Sequence, residues 1–212
     1  DGLEKAFRNL KKKKFRNIVI NSPQLHYMEQ RPAFVEELKF HKTFVRAIFQ
    51  VLKRIYGRIR GYRKGKNFFI FDEFLYIWRK RNEFLSLRKL SSIKKDDLKD
   101  MKYIYFPLIT EPEIALHGVA QDFFFQLSAI NMIARDLPAD YYLVVKEHLL
   151  SIGRRPSDFY NQIVELKNVK IADPLDLGVP YLKNADAVAC ITGSSGWEAL
   201  AMGIPVISFS KN

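Results

Sequence analysis

Cysteine is nearly absent. Cys190 is the sole one in 212 residues, which excludes an intramolecular disulfide and suits a reducing compartment. Long hydrophobic runs are missing as well: no stretch of about 18 apolar residues occurs, so no segment reads as a membrane span. The start has no apolar secretory region and no initiating Met, and the end follows directly on an apparent strand. The sequence therefore reads as a piece of a longer protein. His26, His41 and His117 have no metal-ligand spacing with one another or with Cys190, so no metal and no cofactor are expected. A nucleophile elbow, a dinucleotide fingerprint and a P-loop lysine are all lacking.

What is present divides into two unlike parts. Hydrophobic residues make up 48%, enough for a core in one domain or one domain and part of another. The formal charge of +12 is confined to the first part. Residues 1–100 hold 26 Lys and Arg against 11 Asp and Glu, whereas residues 101–212 hold 9 against 12. The expected organisation is thus a basic, mainly helical region over 1–100 and an α/β domain over 101–212.

From Lys102 onward apolar runs alternate with helical patterns. Strands are predicted at Tyr103–Leu108, Tyr141–Lys146, Val169–Ala172, Ala187–Thr192 and Pro205–Phe209. Helices are predicted over Val119–Arg135, from Pro156 to about Leu166, around Tyr181–Asn184 and over Ser195–Met202. Connections this short imply a doubly wound parallel sheet, Rossmann-like, with ligands beyond the carboxyl ends of its strands.

Three strand ends carry candidate chemistry. Thr192-Gly193-Ser194-Ser195-Gly196 places small residues at a helix start, where backbone N–H groups and two hydroxyls can receive an anion; alternatively, one serine simply caps the helix. Glu198, one turn on, either accepts from ribose hydroxyls or lies on the surface. Lys146-Glu147-His148 ends a strand predicted to be buried. His148 can donate to a phosphate or act in acid–base chemistry, and Arg154 and Arg155 can add phosphate contacts. The alternative there is a solvated charged loop. Glu111 and Glu113 follow the first strand as paired carboxylates, either catalytic or exposed.

The ordered series YFPLITEPE, QDFFFQL, VVKEH, GRRPSDFY, NVKIADP and LKNADAVACITGSSGWEALAMGIPVISF, from about Tyr103 to Phe209, resembles the C-terminal half of the bacterial capsule polysaccharide synthesis family. That family includes retaining β-Kdo transferases of GT-B fold that use CMP-Kdo. The resemblance implies a nucleotide-sugar-binding half in which His148, of a His-Pro motif, and Ser194 and Ser195 contact the donor phosphate. Here Leu149 stands where Pro is expected. Glu198 is similar to the glutamate many GT-B enzymes place on the ribose, and Gly193, Lys146 and Arg155 complete the expected nucleotide-sugar site. The partners implied are a nucleotide sugar and a lipid-linked glycan acceptor at the cytoplasmic face of the inner membrane. A UDP-sugar transferase, an epimerase and a non-catalytic assembly protein are the alternatives.

In the first part, Asn17–Ser22 reads as a strand and Phe34–Ile59 as one long amphipathic helix. Its apolar face carries Val45, Ile48, Phe49, Leu52, Ile55, Tyr56 and Ile59, and its other face is basic. Such a helix packs its apolar side on a core, lies on an anionic membrane or binds nucleic acid. No nucleic-acid motif accompanies it, so nucleic acid is not an expected partner. Asp72-Glu73 is similar to an acidic pair of sialyltransferases, with Phe74 where glycine would follow, and makes Asp72 a further catalytic candidate.

Overall fold

The computed structural model of the chain describes residues 24–62, 69–110, 118 and 120–210. Five parallel strands form its centre: β1 (Tyr103–Pro107), β2 (Tyr142–Lys146), β3 (Val169–Ile171), β4 (Ala187–Cys190) and β5 (Val206–Ser208). Their order is β3-β2-β1-β4-β5. The chain runs outward from β1 through β2 to β3, then crosses back to place β4 on the other side of β1. The doubly wound Rossmann-like sheet expected from the alternation is present, with its switch point between β1 and β4.

Side-chain alternation serves both faces. Tyr103 and Tyr105 of β1, Val144 and Val188 lie on one face, against Tyr181 and Leu182 and against Ala199. Those partners belong to α6 (Gly178–Lys183) and α7 (Ser194–Ala201). Phe106, Leu143, Val145, Ile171 and Ala189 lie on the other, against α4 (Gln126–Asp136) and α5 (Phe159–Val164). Burying strands on both sides explains why YLVVK is almost wholly apolar.

Two helices are shorter than their patterns predict. Within the segment predicted as a helix over Val119–Arg135, Gln121–Phe123 is a 3-10 turn and the α-helix begins at Gln126. That side chain is fully buried and both donates to Ile109 O (2.9 Å) and accepts from Ile109 N (2.8 Å), continuing β1 by a side chain. The helix expected from Pro156 starts at Phe159, because Asp158 takes a left-handed φ of 72°.

The predicted helix Phe34–Ile59 is two helices. α1 (Gln24–Glu37) ends at a corner, Lys39 being extended at φ −58°, ψ 137°, and α2 (Phe40–Ile59) leaves in a new direction. Phe34 and Leu38 are buried in the main core, which fixes the turn. Ion pairs Lys42–Glu36 (2.6 Å) and Arg46–Glu37 (2.8 Å) span it. The strand expected at Asn17–Ser22 falls outside the described residues.

α3 (Asp72–Leu90) joins this helical layer to the sheet domain. Its Phe84 and Leu87 enter the same core as Phe106, and Ile93, just beyond it, bridges to Ala172 alongside β3. Helical layer and sheet are therefore continuous through the core. Gly153, at φ 91°, permits the close approach of α3, since a Cβ there would stand 2.9 Å from Lys80 Cα. Glu83 sits at this contact, and burial pushes its carboxyl up to about 7, although the Gly153 N–H opposes the shift. A carboxyl with a raised folded pKa binds its proton more tightly when folded, so stability falls as pH rises from about 4.5 to about 7. Glu83→Gln is expected to stabilise the protein by about 1–2 kcal/mol at pH 8, after discounting for partial solvent screening, and to change little at pH 4. Urea titrations at the two pH values measure the difference.

Candidate functional site

A cleft of about 230 Å³ opens at the carboxyl ends of β1, β2 and β4. Lys146, Glu147 and His148 line it from the end of β2, and Ser194, Ser195 and Glu198 from α7. Two segments separated by more than forty residues are thus brought to one place. A larger hollow, about 520 Å³, lies between α3 and residues 156–161, away from these strand ends.

The turn into α7 is built by Gly193, whose φ of 102° is closed to residues with a Cβ except at a cost in strain. Gly193 is the N-cap, and no side-chain cap bond is made, so neither serine serves as the cap. Ser194 and Ser195 are instead the first two helical residues, on the cleft, where N–H groups lack intrahelical acceptors. Gly196 lets α7 lie against β4: a Cβ there would meet Cys190 Sγ at 2.8 Å. Glu198 also lines the cleft, and its charge joins burial in pushing the Tyr105 hydroxyl above its ordinary value.

The Lys146–His148 segment is no solvated loop, since Lys146 and Glu147 are both buried. Lys146 Nζ donates to Asp173 O (3.0 Å) and Pro174 O (3.3 Å). Burial, with repulsion from Arg31 next, lowers its pKa to about 8. Desolvation likewise lowers the His148 pKa and favours the neutral ring. His148 Nδ1 accepts from Leu150 N (3.3 Å), which assigns the ring proton to Nε2.

Leu149 does not loosen this loop. His148 caps the 3-10 turn Leu149–Ser151, and Ser151 N donates to His148 O (2.9 Å). His148 itself is at φ −80°, ψ 126°, the extended region that a residue before proline adopts. The backbone shape favoured by a His-Pro pair is reached without the proline.

Arg155 departs from its expected place on a phosphate. It is fully buried and does not line the cleft. Its Nε and Nη2 donate to the Glu147 carboxylate (2.8 and 2.9 Å), and Nη2 also donates to Ile109 O (2.7 Å). Tyr160 Oη donates to Glu147 as well (2.8 Å), and Glu147 Oε1 accepts from His148 N (2.6 Å). Arg155 thus ties the ends of β1 and β2 together beneath His148 and positions it. Asp72 begins α3 in an exposed position and does not line the cleft. Glu111 and Glu113 lie outside the described residues.

Arg31 is a cation of the cleft that sequence reasoning missed. It reaches the rim from α1, with Nη2 donating to Asp176 O (2.6 Å), and burial lowers its pKa. No local motif marks it, because its partners lie over a hundred residues away. Among the described residues no group of His, Cys, Asp and Glu is arranged to hold a metal ion.

No curated protein matches the sequence. Among solved structures, KpsC of Thermosulfurimonas dismutans, a beta Kdo 2,7 transferase, is similar at 20% identity with a TM-score of 0.43. The likeness covers 66% of this chain and 42% of that one. A family model described as capsule polysaccharide biosynthesis protein matches residues 40–212, taking in α2 and α3 as well as the whole sheet. By that match, over most of its length, the chain belongs to the capsule polysaccharide biosynthesis family.

Proposed function

We propose that this chain is the donor-binding part of a cytoplasmic glycosyltransferase that builds capsule polysaccharide. In this reading it transfers a sugar, Kdo, from CMP to a lipid-linked or polysaccharide acceptor. The observation that carries the reading is the convergence of His148, Lys146, Ser194, Ser195 and Glu198 on one cleft at the switch point of the sheet. The donor phosphate sits at the start of α7, against the two hydroxyls and the amides after Gly193. Nε2–H of a neutral His148 donates to the same phosphate. Lys146 and Arg31 supply positive charge that stabilises the leaving nucleotide as the glycosidic bond breaks. Glu198 receives ribose hydroxyls. A cavity of about 230 Å³ holds part of a nucleotide sugar rather than the whole.

Calorimetric titration with CMP and UDP tests this. CMP is expected to bind with a Kd below about 1 mM and more tightly than UDP. Preference for UDP replaces the donor while keeping a transferase. Failure of the folded protein to bind either nucleotide overturns the reading.

A further inference from the structure

α2 is turned inside out relative to an ordinary surface helix. Its buried side chains are Thr43, Ala47 and Arg54, two polar and one small. Thr43 donates to Glu37 O, and Arg54 pairs with Glu73 of α3 (2.9 Å). The apolar face points to solvent rather than onto a core. Val45, Phe49, Leu52 and Ile59 are 65, 61, 59 and 79% exposed, and Phe44, Ile48, Ile55 and Tyr56 are exposed beside them. At 100° per residue these side chains form one continuous stripe along a helix about 30 Å long. Beyond its end Tyr62, Phe69 and Phe71 are exposed as well. A stripe of this size on a soluble protein marks an interaction surface.

The charge pattern selects the partner. Lys42, Arg46 and Lys53 form a basic strip along one edge of the stripe, between it and the buried side. Lys42 and Arg46 pair with Glu36 and Glu37 at the end of α1, but from Lys39 to Phe71 the sequence has no Asp or Glu and ten Lys and Arg. A second copy of α2 brings no carboxylate to this strip, and antiparallel pairing sets basic edge against basic edge. Nucleic acid neutralises the charge but leaves the apolar stripe wet. A bilayer with anionic headgroups satisfies both, taking the stripe into the headgroup–acyl boundary while the long basic side chains reach back to the phosphates. No described helix is long and apolar enough to cross a membrane, so α2 lies along the surface. We propose that the exposed face of α2 docks this protein on an anionic lipid bilayer.

The test is flotation of the intact protein with phosphatidylcholine vesicles, with and without about one phosphatidylglycerol in three, at about 0.1 M salt. Binding is expected to be about tenfold greater with the anionic lipid and to fall steeply as salt screens the basic strip. The triple variant Ile48→Ser, Phe49→Ser, Leu52→Ser removes exposed side chains only. It is expected to abolish flotation and leave the far-ultraviolet spectrum and nucleotide titration as in the wild type. A charge variant, Lys53→Glu in the strip with Arg58→Glu on the other edge of the stripe, both exposed, is expected to lose the anionic preference independently. Equal binding to both vesicle types, no binding to either, or flotation unchanged by the triple variant overturns the proposal. So does a dimer that the triple variant dissolves while the wild type ignores vesicles. The outcome is independent of whether the cleft binds a nucleotide.

Discussion

Arg155→Ala is expected to destabilise the protein by about 3–5 kcal/mol, the cost of stripping the partner from a buried charge. Glu147 and Arg155 are both fully buried at the side chain, so neither charge has water to fall back on. Two guanidinium bonds to the carboxylate and one to Ile109 O go together. What remains to Glu147 is the Tyr160 hydroxyl and the backbone N–H of His148, too little for a carboxylate in this setting. Against a typical domain stability of about 5–15 kcal/mol, the loss is a large fraction. The double variant Glu147→Gln, Arg155→Ala is expected to be less damaging than the sum of its parts, because it removes both charges at once. Urea unfolding of the four proteins of this cycle measures the coupling. A loss below about 1 kcal/mol for Arg155→Ala would show that the pair is not what fastens the ends of β1 and β2.

The same pair shows how far the sequence was legible. The β/α alternation was readable because a strand buried on both faces must be apolar along its length, as in YLVVK, and because the intervening helices are short. Strand ends then located the cleft, since a parallel sheet with a switch point leaves its opening at one edge. The assignment of Arg155 failed because a cation after a strand looks the same whether it turns outward to a phosphate or inward to a glutamate eight residues earlier. Arg31 was invisible for a different reason: it meets Asp176 from 145 residues away. Periodicity correctly marked an apolar face over Val45–Ile59 but carried no information on which side α3 occupies. Thr43 and Ala47 lie against the protein body because their small side chains permit close helix packing, and the large apolar residues are left outside.

Lys146 provides the sharper test of the cleft, because its effect has a distinct dependence on pH. Its ammonium is held to a pKa of about 8 by burial and by the nearby Arg31. The cleft that it lines also holds the serines at the start of α7. An arriving phosphate favours the charged form, so nucleotide affinity is complete below about pH 8 and declines above it, by about tenfold for each unit by which binding raises the lysine pKa. Lys146→Met is expected to weaken binding about 10- to 100-fold at pH 7, the worth of a charge-assisted hydrogen bond, and to flatten the profile above pH 8. Arg31→Met separates the two cations. Removing the like charge raises the Lys146 pKa, so the fall in affinity moves to higher pH even as the loss of Arg31 lowers the plateau. Calorimetric Kd values for CMP between about pH 6.5 and 9.5 read both effects. A wild-type profile that is flat across that range would assign Lys146 to its two carbonyl partners alone and leave the phosphate to His148 and the serines.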